Sequence, residues 1–165
     1  MTVAKELTQF ILQKGDKIMT KAQLAQKYFK DGYNCCQAVV LAFCDEVNID
    51  KETALLIASS FGGGIGRLRE VCGAISGMCI IAGIKNGYIS PKAKEEKANH
   101  YKLIQTLAGE FENKNGSIIC KILTGIEKNG HKPDDRTKEY YEKRPCDCLV
   151  YDAAKILEDY FSKNR

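Results

Sequence analysis

Cysteine is the residue type in this chain most able to do chemistry, and eight are present: Cys35, Cys36, Cys44, Cys72, Cys79, Cys120, Cys146 and Cys148. Such thiols can be small buried apolar groups, ligands for a metal or an iron–sulfur cluster, or redox groups that cycle between dithiol and disulfide. Their spacing removes several options. No Cys-x-x-Cys occurs, so a thioredoxin-type pair and the paired units of a zinc ribbon are excluded, and no Cys-x-x-Cys-His exists to attach a c-type haem. A metal site would have to be assembled from separate helices.

Two stretches concentrate the chemistry. In "REVCGAISGMCIIAG" (69–83), Gly73 and Gly77 stand four apart and share a helix face. Each glycine costs about 1 kcal/mol relative to alanine in a helix, so two of them call for close approach of another element or for space beside a group bound near Cys72. In "RPCDCLV", Cys146 and Cys148 follow Arg144 and Pro145 at a helix start, where positive charge and the helix N-terminus favour thiolate. Thiol–disulfide chemistry by the pair Cys146 and Cys148, or by Cys35 with Cys72, is one reading of these residues.

Other motifs carry less. "FGGGIGRLRE" lacks the Gly-Lys-Ser/Thr of a phosphate loop and no strand precedes it, so it reads as a turn between helices using positive-φ glycines. His100 lies on the charged face of a helix and His131 in a polar loop, both read as solvated surface residues. No Ser/His/Asp arrangement and no pair of carboxylates on an apolar face points to a hydrolase.

The elements that position these residues are helical. "LTQFILQKG" and "KAQLAQKYFKDG" read as two helices with a turn between them, "NCCQAVVLAFCDEVNI" begins at the N-cap residue Asn34, and "DKETALLIASSF" follows with Asp50 as cap. The run Val71 to Ile84 continues as a buried helix. "SPKAKEEKANHYKLIQTLAGEFENKNG" is a long amphipathic helix with Ala98, Tyr101, Leu103, Ile104 and Leu107 inward. "SIICKILTG" is a shorter helix, residues 126–145 form a polar segment best suited to a mobile loop, and "CDCLVYDAAKILEDYFSKNR" closes the chain as a helix. The fold class expected is all-α, a compact single-domain helical bundle over 1–165 with roughly seven to nine helices and no sheet.

Composition sets the outer bounds. With 165 residues, 44% hydrophobic and 28% charged, the chain can bury a core without disulfides or metal. The net charge of +4 is dispersed, which gives no footprint for nucleic acid. The longest apolar run is shorter than the about 20 residues that a bilayer requires, so no membrane association is expected. The first residues lack the apolar core of a signal peptide, and the expected location is cytoplasmic. Glycine-rich faces make a homodimer plausible.

"GYNCCQAVVLAF", "ASSFGGGIGRLREVCGAISG", "CKIL" and "CDCLVYDAAKIL", in that order, resemble the redox-active protein family named for a C, GCAxxG, C, C pattern. The resemblance spans about 32–162, a four-cysteine redox domain, and leaves 1–20 as a helical extension outside it. It implies Cys35, Cys72, Cys120 and Cys146 as the signature thiols, with Cys148 as the alternative to Cys146. The family is similar to part of the split-Soret cytochromes, which implies an iron–sulfur centre here but no haem. Thiolates from four helices suit a cluster, expected as [2Fe-2S], or tetrahedral zinc as the alternative. Backbone N–H groups near Gly73 would tune such a cluster, the small residues Gly73 and Gly77 would make room for it, and an unidentified redox protein would be its partner.

Overall fold

The computed structural model describes residues 18–164. Among the described residues it contains eight α-helices and one short 3₁₀ turn, with no strand and a single isolated antiparallel bridge, Val71 to Ile119. The helices are α1 (Lys21–Lys30), α2 (Cys35–Phe43), α3 (Lys51–Ala58), α4 (Gly73–Asn86), α5 (Lys94–Asn115), α6 (Cys120–Thr124), α7 (Lys138–Lys143) and α8 (Cys146–Lys163). The all-α expectation is met. The helix read into "LTQFILQKG" lies outside the described residues.

Side-chain caps start four of these helices, with Thr137 accepting from the Tyr140 N–H at the start of α7. Thr20, Asn34 and Asp50 each accept a hydrogen bond from the backbone N–H three residues on, and Gln23 and Gln37 return the contact to complete capping boxes. Each such cap is worth about 1 kcal/mol. The caps fix where α1, α2 and α3 begin.

Helix α2 runs through the centre. Its residues Cys36 and Ala38 to Phe43 are all buried, because α1, α3, α4 and α8 pack around it. Phe29, Phe43, Met78, Ile81, Leu107, Phe111 and Leu157 fill the remaining core, with the Phe43 and Phe161 rings edge-to-face at 6.2 Å. Close approach of α2 to α4 depends on glycine. A Cβ on Gly77 would stand 2.9 Å from Val39 Cβ, and one on Gly73 would stand 2.8 Å from the carbonyl oxygen of Phe61.

Three sequence expectations need correction. Helix α4 begins at Gly73 rather than at Val71, because Val71 and Cys72 are held extended against Ile118 and Ile119. On α5, Ala98 and Tyr101 are exposed, since this helix docks its C-terminal half, through Leu107 and Phe111, against the core formed with α8. Residues 126–145 are not a free loop: they contain α7, and Arg136 donates to the carbonyl oxygens of Tyr33 and Phe29 at 3.1 and 3.5 Å. No helix among the described residues is long and apolar enough to cross a membrane.

Candidate functional site

Four cysteines occupy helix starts: Cys35 is the first residue of α2, Cys72 the N-cap of α4, Cys120 the first residue of α6 and Cys146 the first residue of α8. All four line one cavity of about 40 Å³, together with Gly63, Gly64, Gly73, Arg69, Arg136 and Arg144. A helix start exposes unpaired N–H groups and a positive dipole end, so α2, α4 and α8 each favour negative charge on the sulfur they carry.

Backbone pairing explains why distant cysteines meet. Cys72 N–H donates to the carbonyl of Ile118 at 2.8 Å, Cys120 N–H to that of Glu70 at 2.6 Å, and Lys121 N–H to that of Arg69 at 3.1 Å. The segment ahead of α4 is thereby fastened to the start of α6. Asn34, which caps α2, also donates from Nδ2 to the carbonyl of Ser59 at 3.2 Å, tying Cys35 to the turn that leads toward Cys72.

That turn is left-handed. Gly63, Gly64, Ile65, Gly66 and Arg67 have φ of +63°, +69°, +62°, +52° and +69°, and Arg69 has +64°. Glycines adopt this region freely, whereas β-branched Ile65 is strained there, at a cost of order 1–3 kcal/mol. The path carries the chain close over Cys120: a Cβ on Gly64 would lie 2.7 Å from Cys120 Cβ. It also turns Arg69 inward.

Arg69 is 2% exposed. Its Nη1 lies 4.0 Å from Cys120 Sγ, while Nε and Nη2 are buried with no hydrogen-bond partner among the described residues. A buried guanidinium with unsatisfied donors is costly unless negative charge stands beside it.

The thiols differ in acidity. A hydrogen bond donated by Cys35 lowers Cys146 below its ordinary value against the opposing effect of burial, with Arg144, Arg136 and Arg69 adding to the lowering. The same bond, with burial, holds Cys35 well above its ordinary value. Burial pushes Cys72 up to about 12 in spite of hydrogen bonds from the backbone N–H groups of Ala74 and Ile75. The arrangement can therefore hold anionic sulfur at Cys146 first.

A second cavity, of about 280 Å³, adjoins the first and shares Asn34, Gly63, Arg69, Arg136, Tyr140 and Arg144 with it. Arg67, His131 and Asp134 also stand in its wall. Asp134 pairs with Arg67 at 2.9 Å and Arg144 at 2.6 Å, and Arg67 also donates to Asn129 Oδ1 at 2.8 Å. Arg136 lies 4.6 and 4.7 Å from the ring centres of Phe29 and Tyr140.

The other sequence candidates fall elsewhere. Cys148 is exposed and does not line the cavity, so the thiol beside Cys146 is Cys35 rather than Cys148. Gly73 lines the cavity; Gly77 does not, and serves the α2–α4 contact instead. Cys36 and Cys44 are buried in the core and Cys79 packs half-buried against it. His100 is half-buried and edge-on to Tyr88 at 6.2 Å, which departs from the solvated surface expected for it, whereas His131 is exposed on the rim of the second cavity. Sequence reasoning missed Arg69 and Arg136. The five residues "RLREV" around Arg69 look like solvated charge, and only the cysteine following them hints that they enter a site.

Among the described residues, no three His, Cys, Asp or Glu side chains stand close enough together to hold a single metal ion. The four thiols surround a space rather than converge on a point. The chain matches the family model described as "Putative redox-active protein (C_GCAxxG_C_C)" over residues 33–160. No curated protein and no solved structure matches it.

Proposed function

The chain belongs to the C_GCAxxG_C_C family of redox-active proteins, and on that premise we propose that Cys35, Cys72, Cys120 and Cys146 bind one iron–sulfur cluster through which the protein passes electrons to a partner protein. The observation that carries this reading is the meeting of four helix-start thiols around a cavity also lined by Arg69, whose Nε and Nη2 have no partner among the described residues. Such a cluster with its thiolates is anionic, and it supplies one-electron transfer at a potential set by surrounding charge and hydrogen bonds. The donor set fits: four soft sulfur ligands, a buried cation beside them, and glycines at 63, 64 and 73 where side chains would intrude. Thiols spread around a cavity suit a multi-atom core better than zinc, which needs four sulfurs at about 2.3 Å from one ion. About 40 Å³ admits roughly three water-sized groups, which favours the four-atom [2Fe-2S] core over an eight-atom one.

The protein's own residues have separable roles in this reading. Arg69 offsets negative charge from within the wall. The backbone N–H groups of Ala74 and Ile75 direct hydrogen bonds to Cys72 sulfur, which raises the potential of a centre ligated there. Burial of Cys72, Cys120 and Cys146 keeps water from the ligand sulfurs.

One observation favours a second reading, dithiol–disulfide exchange by Cys35 and Cys146: the hydrogen bond between their thiols, which makes Cys146 the more acidic of the two. The pair would lose two protons and two electrons to an oxidised disulfide of a partner protein, forming a Cys35–Cys146 bond. The visible spectrum of protein purified without air separates the two. Under the cluster reading, wild type and Cys148→Ser absorb in the visible and Cys72→Ser or Cys120→Ser lose that absorption; colourless wild-type protein with a reversible two-electron couple supports the exchange reading.

A further inference from the structure

The cavity next to the four thiols has a charge that the thiols alone do not require. Its wall carries the guanidiniums of Arg67, Arg69, Arg136 and Arg144 against the single carboxylate of Asp134. That carboxylate is already committed to Arg67 and Arg144. Arg136 has no carboxylate partner among the described residues; it is held by the carbonyl of Tyr33 and by ring faces. Arg69, 2% exposed, lines this cavity, and its Nε and Nη2 have no partner among the described residues.

We propose that this second cavity is a binding site for a small oxyanion, a sulfate-, phosphate- or carboxylate-sized group, held by Arg69 and Arg136 beside the four-cysteine cavity. Planar guanidiniums bind tetrahedral and carboxylate oxyanions through paired N–H donors, and the four arginines of this wall outnumber its one carboxylate. A space of about 280 Å³ suits a small polar molecule rather than a drug-sized one or a dinucleotide. Arg136 is already oriented by its carbonyl and ring contacts, so little ordering is needed when the anion arrives. Asp134 keeps Arg67 and Arg144 occupied, and this leaves Arg69 and Arg136 as the pair with capacity to spare. Arg69 and Arg136 border both cavities, and Arg136 is the residue on which the site rests whichever reading of the thiols holds.

The test is calorimetric titration of the full chain with sodium sulfate, against sodium chloride at equal ionic strength, in iron-free protein and in protein incubated with iron and sulfide. Sulfate is expected to saturate one site per chain, with affinity at least about tenfold weaker in Arg136→Gln and in Arg69→Met, and partly retained in Arg136→Lys. Lys97→Gln, remote from the cavity, is expected to bind as wild type does. Circular dichroism melts confirm that each variant is folded before it is titrated, and Arg136→Gln stands alone if Arg69→Met fails to fold. Saturation in either protein form that Arg136→Gln weakens supports the site, whether or not iron is found. Absence of saturation in both forms, or saturation unchanged by Arg136→Gln, overturns it.

Discussion

Cys35 and Cys146, the first residues of α2 and α8, line one cavity as interacting thiols, and the interaction moves their acidities in opposite directions, with burial adding to the rise at Cys35 and Arg144, Arg136 and Arg69 to the fall at Cys146. In metal-free, reduced protein, Cys146 should lose its proton below the ordinary thiol value of 9.0, while Cys35 stays protonated well above it. Alkylation by iodoacetamide, read residue by residue by mass spectrometry across pH, should give Cys146 a midpoint below that of the exposed Cys148, whose own value is raised by burial and Asp147. Cys35→Ala should shift the Cys146 midpoint upward and Cys35→Ser, which still donates, should shift it less. Equal midpoints in all three proteins would remove the contact from the account.

Gly64 and Gly73 hold the cavity open in ways a methyl group would block. Alanine at 64 brings a Cβ to 2.7 Å from Cys120 Cβ at a φ of +69°, and alanine at 73 brings one to 2.8 Å from the Phe61 carbonyl and 3.1 Å from Cys35 Cβ. Each substitution should lower unfolding free energy by about 2–4 kcal/mol. Gly109, inside α5 with nothing within 4 Å of a built Cβ, provides the contrast. Gly109→Ala should raise stability by about 0.5–1 kcal/mol in denaturant unfolding.

Asp134 fastens residues 126–137 over the site, and its acid titration should loosen them. Hydrogen bonds and charge from Arg67, then Arg144, hold its carboxyl below the ordinary 3.8. A depressed folded value means that the group's stabilising contribution is present above pH about 4 and is lost as pH falls through the folded value. The side chain is 35% exposed, so after solvent screening the contribution is set at about 1 kcal/mol or less. Asp134→Asn should therefore be less stable than wild type at pH 7, the gap should close toward pH 2, and amide exchange in 126–137 should rise in the variant at pH 7. A gap that persists unchanged into acid would contradict the assignment.

Arg69 should have opposite effects on the empty and the iron-loaded protein. Without an anion beside it, a buried cation with unsatisfied Nε and Nη2 is a cost, so Arg69→Met should leave metal-free stability unchanged or raised by about 1–2 kcal/mol. With iron and sulfide present, the same variant should release iron to a chelator several-fold faster than wild type. Metal-free stability falling sharply together with unchanged iron release would deny Arg69 this role.

The helices were legible because they rest on local or repeating signals, whereas the four cysteines were singled out by the resemblance to the family pattern. Asn34 and Asp50 announce helix starts by side-chain chemistry that acts within one turn, and the apolar period marks α2 and α8. Gly73 and Gly77 signalled a close approach, and α2 supplies it, although Gly77 serves packing alone. The rest depends on partners far away in sequence. Cys72 precedes its helix because its N–H pairs with Ile118 while Val71 bridges Ile119, and Ile65 adopts a conformation its side chain disfavours because hydrogen bonds on either side hold it there. Arg69 is drawn inward by the same turn, which no residue pattern encodes. The choice of Cys35 as neighbour to Cys146 is likewise a consequence of α2 and α8 packing together, whereas sequence proximity suggested Cys148.

Iron and acid-labile sulfide analysis of protein purified under nitrogen, with a thiol titration on the same sample, tests the central claim most directly. About two irons and two sulfides per chain are expected, with the four-cysteine set protected from thiol reagents until the iron is removed. Protein free of iron and sulfide, unchanged by incubation with both and presenting all eight cysteines as thiols after denaturation, would contradict it.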